Sequence, residues 1–152
     1  MFKEIIEKGY YRFEDSFDNW EDAITASYQP LLSDGTVEPS YIEAVIACIK
    51  KYGPYIVIVP DIAMPHSTEG AVGCHGTAIT YMKVKKAVDF DENDPDKKAR
   101  LFFSLAAVDH EEHLENIQQL METLSNEEYV NELLQADTID ELRCVVEKFE
   151  NN

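Results

Sequence analysis

Tyr52-Gly53-Pro54-Tyr55-Ile56-Val57-Ile58-Val59-Pro60-Asp61-Ile62-Ala63-Met64-Pro65-His66 is the stretch that decides how this chain folds. Gly53-Pro54 breaks whatever precedes it, and the β-branched and aromatic run Tyr55–Val59 reads as a buried strand. Pro60 ends that run because it has no N–H to give to a sheet ladder. Ile62-Ala63-Met64 is a second, shorter apolar piece. Pro65 then holds Met64 extended and fixes its own φ. His66 follows at once, so an imidazole stands at the end of a strand on a stiff, apolar lead-in. A rigid scaffold below and open space above suit a nucleophile or a ligand, and histidine is the side chain that titrates near neutral pH. The bland alternative is a polar residue in a surface turn.

Working back from this stretch, Tyr41, Ile42, Val45, Ile46 and Ile49 recur at helical spacing, with Pro39 tolerated in the first turn of that helix. An earlier helix starts at Trp20, capped by Asp18 or Asn19, and stops at Gly35. Tyr10–Phe13 is a short strand. Working forward, Ser67–Gly73 is a polar, glycine-bearing loop, and His75–Val84 alternates as a strand. Ala87–Phe90 is a short strand or edge, and Asp91–Lys98 is a turn-rich connection. Leu101–Val108 is another buried strand. Asp109 caps a helix through about Leu124, and helices near 127–135 and 139–149 close the chain, the last behind a Thr138/Glu141 capping box. The order predicts an α/β sandwich, a mixed β-sheet flanked by helices, in a single domain over 1–152.

Composition narrows the function. The 152 residues suffice for one domain with a real core. A net charge of −17 argues against nucleic acid and anionic membrane surfaces and permits a basic protein partner. Solvated acidic helix faces account for most of that charge. No apolar run approaches the roughly 20 residues that span a bilayer, so no direct membrane insertion is expected. The charged start Met1–Glu7 lacks a signal peptide's apolar centre. The expected location is cytoplasmic. Cys48, Cys74 and Cys144 are odd in number, lack C-x-x-C spacing and each sit in an apolar context, which reads as reduced, mostly buried thiols.

Of the four histidines, His75 falls inside a predicted strand and reads as structural. His113 lies one turn into the helix that follows Leu101–Val108. Should the strands leading to His66 and to Asp109 be parallel neighbours, His66 and His113 meet at their carboxyl ends, where ligands gather in open α/β sheets. Two such histidines suit metal ligation or phosphoryl chemistry. The spacing His110-x-x-His113 alone lacks a third ligand, so no metal is expected. Phosphate loops, nucleophile elbows and dinucleotide glycine fingerprints are absent, and no cofactor is expected. An imidazole nitrogen can take a phosphoryl group and pass it on, with the protein mainly positioning oxygens. Ser67 and Thr68 offer hydroxyls and N–H groups beside His66, and the following helix's N-terminus offers more.

I-A-M-P-H behind an apolar strand, H-L-x-x-I-x-x-L after L-F-F-S-L-A-A-V, and A-I-x-x-x-x-x-x-L-L-x-x-G-x-V-x-x-x-Y at Ala23–Tyr41 resemble the enzyme IIA component of the bacterial sugar phosphotransferase system, fructose/mannitol type. The resemblance covers roughly residues 15–150, and G-P-Y-I-V-I-x-P-x-I-A-M-P-H is most similar to the ascorbate-type subgroup. It implies a phosphotransferase with His66 as the phosphorylated nucleophile and His113 as the second, supporting histidine. The implied donor is a phosphohistidine carrier protein and the implied acceptor a IIB component cysteine, with association to a membrane IIC through IIB. Ascorbate-type members continue H-A-R-P-E after the active histidine, whereas this chain has His66-Ser67-Thr68-Glu69. Mannitol-type members place an arginine before the central strand, near where Lys50 stands, so Lys50 is a phosphate-binding candidate or a solvated helix-end lysine. The carrier is expected to dock on an apolar patch of Ile62, Met64 and Pro65 with an acidic rim. Two other functions fit the same residues: a regulatory module whose phosphohistidine signals to a protein partner, and a non-catalytic binding protein of the same fold.

Overall fold

A computed structural model describes residues 1–150. The strands are β1 (Tyr11–Glu14), β2 (Val57–Val59), β3 (Asp61–Ala63), β4 (Ala78–Asp89) and β5 (Lys98–Ala106). The helices are α1 (Phe2–Lys8), α2 (Trp20–Ser33), α3 (Pro39–Tyr52), α4 (His110–Leu124), α5 (Glu127–Gln135) and α6 (Ile139–Glu150). The sheet order is β1-β4-β5-β3-β2. β1 runs parallel to β4 and β3 parallel to β5, while the β4–β5 and β2–β3 pairs are antiparallel. This is the mixed, helix-flanked sheet that the order of apolar segments predicts.

Both faces of the sheet are covered, which is why its inner strands read as continuous apolar runs rather than alternating ones. Met82 and Phe102 face one layer with Ala23, Ile24, Tyr28 and Leu31 of α2 and Val45 and Ile49 of α3. Tyr81, Phe103 and Leu105 face the other with Phe2 and Ile5 of α1, Leu120 of α4, Leu133 of α5 and Leu142 of α6. On this second side Lys83, only 4% exposed, pairs with Asp137 at the start of the last connection.

Four expectations change. Tyr55–Val59 is not one central strand: Tyr55 and Ile56 precede β2, which forms the sheet edge, and the strand delivering His66 is β3. The two form a tight hairpin at Pro60-Asp61, with Asp61 at φ 75° and its carboxylate held by the Arg100 guanidinium through two 3.0 Å bonds. An aspartate tolerates this left-handed conformation better than most residues. Second, the segments expected at 75–84 and 87–90 are one strand, β4, whose pairing with β5 slips between Lys83 and Val88. Third, His75 lies before β4, exposed, with Nε2 2.7 Å from Glu38 Oε2. Fourth, of the three cysteines only Cys48 is buried, while Cys74 is partly exposed and Cys144 is exposed on α6. Met1–Glu7, to which the sequence assigns no element, supplies most of α1, closed by Gly9 at φ 72° donating to the Ile6 carbonyl and by Tyr10 N–H donating to the Ile5 carbonyl.

The caps fall where polar residues precede apolar stripes. Asn19 accepts the Asp22 N–H, Asp109 the Glu112 N–H and Thr138 Oγ1 the Glu141 N–H. Each removes an orphan donor from a first turn.

Candidate active site

β3 and β5 are parallel neighbours, and the ladder continues past β3 through Leu105 N–H to the Pro65 carbonyl at 2.9 Å. The chain segments leaving these two strands therefore emerge side by side. One carries His66; the other turns at Asp109 into α4, with His113 in its first turn. The two imidazoles lie 5.2 Å apart between ring centroids, tilted by 38°. They line a cavity of about 420 Å³ with Tyr41, Ser67, Thr68, Gly70, Ala71, Asp109 and His110.

The Nδ1 atom of His66 is 2.6 Å from the Met64 carbonyl. A carbonyl only accepts, so Nδ1 carries the proton and Nε2 keeps its lone pair. Burial holds the His66 pKa below the usual 6.5, partly offset by the Met64 hydrogen bond. His113 is also held below 6.5, by burial first and then by repulsion from His66 and His110. Both rings are thus favoured neutral at neutral pH, one offering a nucleophilic nitrogen and the other a donor.

Ser67 and Thr68 line the cavity as expected. Thr68 Oγ1 donates to Cys48 Sγ at 3.6 Å, and Ser67 Oγ accepts the Glu69 N–H at 3.2 Å. Burial pushes the Cys48 thiol up, but hydrogen bonds from the Thr68 backbone and from the Thr68 and Ser67 side chains outweigh it and leave the thiol below its usual value. Lys50 is exposed on α3 and outside the cavity lining, which includes neither Lys nor Arg among the described residues. Oxygens placed here would be met by neutral donors and by the first turn of α4. Glu111 and Glu112 do not line the cavity, and Asp109, which does, spends a carboxylate oxygen on its cap. Among the described residues no group of three or more His, Cys, Asp or Glu side chains could hold a metal ion.

Ile62, Met64 and Pro65 do not form an exposed patch. All three are buried: β3 is an interior strand, and Ile62 and Met64 pack into the layer formed by α1, α4, α5 and α6. Of the exposed apolar side chains, Val108 (42% exposed) lines the cavity, and Val72 (75%) and Leu114 (51%) directly follow its lining residues Ala71 and His113.

Sequence reasoning missed the residues beneath His66. Tyr28 OH lies 2.9 Å from the Pro65 carbonyl and 2.8 Å from the Leu105 carbonyl. Tyr41 OH donates to Leu105 O at 3.1 Å, and burial pushes its pKa up to about 12. Tyr55 OH donates to the His66 carbonyl. Gly73 lets the loop close against α3: a Cβ there would stand 2.3 Å from Ser40 Oγ and 2.9 Å from the Tyr41 nitrogen. The Gly73 carbonyl accepts the Glu38 N–H at 2.7 Å.

The parallel β3–β5 pair thus brings two histidines, both favoured neutral, together at a cavity lined by neutral donors. Residues 4–149 match the family "Phosphoenolpyruvate-dependent sugar phosphotransferase system, EIIA 2", and the chain belongs to that family. It is 29% identical over 147 residues to the ascorbate-specific PTS system EIIA component of Escherichia coli K12, covering 95% of this chain and 93% of that protein. A Streptococcus pyogenes M1 GAS chain assigned as a PTS IIA domain superposes with a TM-score of 0.83 at 28% identity, over 99% of this chain and 96% of that one. Enzyme IIA for mannitol from E. coli, in complex with phosphorylated mannitol enzyme IIB, superposes with a TM-score of 0.72 at 25% identity, over 90% and 93% of the two chains. The chain is thus a component of a sugar phosphotransferase system, of the ascorbate- and mannitol-related kind.

Proposed function

We propose that this protein is a cytoplasmic phosphocarrier that takes a phosphoryl group on His66 Nε2 from a phosphohistidine carrier protein and gives it to a cysteine of a IIB component. The observation that carries the reading is the Nδ1–Met64 carbonyl bond, which leaves Nε2 unprotonated on the ring that faces His113. In the first step the Nε2 lone pair attacks phosphorus, a new N–P bond forms, and the donor's N–P bond breaks with its electrons returning to the donor imidazole. In the second a cysteine thiolate attacks, an S–P bond forms, and His66 leaves neutral. His113 donates toward the phosphoryl oxygens, with the Ser67 and Thr68 hydroxyls and the α4 N-terminus as further donors. Such positioned donors act most strongly where charge is greatest, which favours transfer over mere binding. Lys50 lies outside the lining, and this reading gives it no role.

The reading gives the partners a surface as well. Exposed Val108 lines the cavity, and the exposed Val72 and Leu114 directly follow its lining residues Ala71 and His113, on the side where a partner must bring its own reactive atom. The mannitol IIA–IIB complex supports a IIB partner; an association with a membrane IIC would run through that IIB. Among the described residues no helix is long and apolar enough to cross a membrane. The ascorbate-specific relatives favour ascorbate as the transported compound.

The test is reconstitution with phosphoenolpyruvate, enzyme I and the carrier, followed by mass spectrometry of the intact protein and its peptides. One phosphoryl group on His66 is expected, and none on His66→Ala; label on that variant at the wild-type level refutes the assignment. His113→Ala should still be labelled but should pass the group to IIB more slowly, by about 10- to 1000-fold as for single-donor deletions elsewhere. Equal transfer rates would leave His113 with no part in the reaction.

A further inference from the structure

Five consecutive residues at the exit of β3 are each held from below. The Met64 carbonyl accepts from His66 Nδ1, the Pro65 carbonyl from Leu105 N–H and Tyr28 OH, and the His66 carbonyl from Tyr55 OH. Ser67 and Thr68 then rest on Cys48 Sγ at 3.9 and 3.6 Å. The first two of these bonds finish the strand ladder and fix the tautomer. The His66 carbonyl stands beyond that ladder, so nothing in the regular sheet pairs with it.

Tyr55 is unusual among these partners because it touches His66 twice. Its hydroxyl donates to the His66 carbonyl, and its ring meets the imidazole at 87°, with centroids 5.1 Å apart. The tyrosine is itself braced in a tight turn, where Tyr55 N–H donates to Gly53 O at 2.8 Å and Val57 N–H to Pro54 O at 3.2 Å. Gly53-Pro54 therefore does more than end α3: it sets the position of the ring that abuts the nucleophile. An imidazole whose backbone carbonyl is pinned, whose Nδ1 is bonded and which packs T-shaped against an aromatic ring has little freedom about either side-chain torsion.

We propose that Tyr55 is a positioning residue for transfer through His66, holding the imidazole plane so that Nε2 stays aimed into the cavity through acceptance and release of the phosphoryl group. The inference rests on the proposed role of His66 as phosphocarrier. In-line displacement needs donor nitrogen, phosphorus and Nε2 nearly collinear, so a loosened ring reduces the fraction of encounters that react while leaving docking unchanged. Tyr55 touches no transferred atom; it acts through His66.

The experiment uses Tyr55→Phe in the full chain, which keeps the ring and removes only the hydroxyl. The kinetic arm measures acceptance from the phosphorylated carrier. kcat is expected to fall between about 5- and 100-fold, with KM for the carrier unchanged. The second arm follows the His66 ring nitrogens by 15N NMR in the unphosphorylated protein. Wild type should show a single Nδ1–H tautomer, and the variant a shift toward a mixture, with signals outside residues 64–68 unmoved. An unchanged kcat, a fall in kcat with unmoved ring nitrogens, or global unfolding of the variant would each overturn the proposal. A wild type that takes no label on His66 refutes the phosphocarrier reading instead, and the ring-nitrogen arm then still decides whether Tyr55 fixes the imidazole.

Discussion

The Met64 carbonyl keeps the His66 proton on Nδ1, so a second proton can enter only at Nε2, the atom proposed to attack phosphorus. Both site histidines are held below 6.5 by burial, and His113 also by its histidine neighbours. In the unfolded chain both protonate as pH falls through 6.5; in the folded chain they resist until the pH passes their lowered values. The unfolded state therefore binds more protons in that window, and stability is lost as pH falls from 6.5 through the folded pKa values. Acceptance should follow the same direction: a plateau above pH 6.5 and an acid limb whose midpoint lies below it. Initial rates of labelling between pH 5 and 8 check the first claim, and denaturant midpoints over the same range check the second. An acid limb centred above 6.5 would mean that His66 is not the titrating group, or that its environment favours the cation.

At the scale of elements, the meeting of His66 and His113 was legible because it needs only two strand ends and one adjacency. The run 55–66 and the run 101–108 each announce a strand followed by a histidine, and the parallel β3–β5 pairing supplies the rest. What stayed hidden are contacts that no local pattern encodes. Tyr28 lies 37 residues from Pro65 in sequence, and Cys48 lies 19 and 20 residues from Ser67 and Thr68. Backbone carbonyls as acceptors leave no mark in the residue string. Ile62, Met64 and Pro65 were misplaced because apolar residues beside a reactive group look alike whether they line a surface or a core, and β3 proved interior. The helix α1 was missed because seven residues show too little periodicity, although Gly9 just past Lys8 is the C-terminal signal that marks it. Its Phe2 is fully buried against Tyr81, Phe103 and Tyr129, with centroids 5.1, 5.9 and 5.8 Å away. Phe2→Ala should therefore destabilise the protein by about 3–5 kcal/mol, read by urea denaturation; a loss under about 1 kcal/mol would mean that α1 is dispensable to the second core. The loop over the site is similarly tied down at one residue. Gly73 has φ 80° and no room for a Cβ, so Gly73→Ala should cost more than about 1 kcal/mol and disturb the Tyr41 wall of the cavity. A fully stable variant with unaltered labelling kinetics would show that the loop's closure against α3 is incidental.

Across the whole molecule, charge and apolar surface are distributed unevenly around the sheet. Residues 109–150, which contain α4, α5 and α6, hold thirteen of the thirty acidic residues and only two of the thirteen basic ones. The second helical layer is therefore strongly acidic, and at the start of α4 the exposed Glu111 directly follows His110 of the cavity lining. Exposed Val108 lines the same cavity, and the exposed Val72 and Leu114 directly follow Ala71 and His113 of its lining. The two features have separable roles. Apolar contact around a buried reacting pair excludes water and sets how long a partner stays, whereas a long-range field sets how often it arrives. A basic carrier should thus associate more slowly as salt rises, because the Debye length shrinks from about 10 Å at 0.1 M to about 3 Å at 1 M. Leu114→Asp should act differently, raising the dissociation rate and KM for the carrier while leaving the salt dependence of association nearly unchanged. Stopped-flow association at several salt concentrations, on wild type and Leu114→Asp, separates the two effects. A salt-independent association rate removes the electrostatic role of the acidic layer. An unchanged dissociation rate in Leu114→Asp places the docking surface elsewhere on the protein.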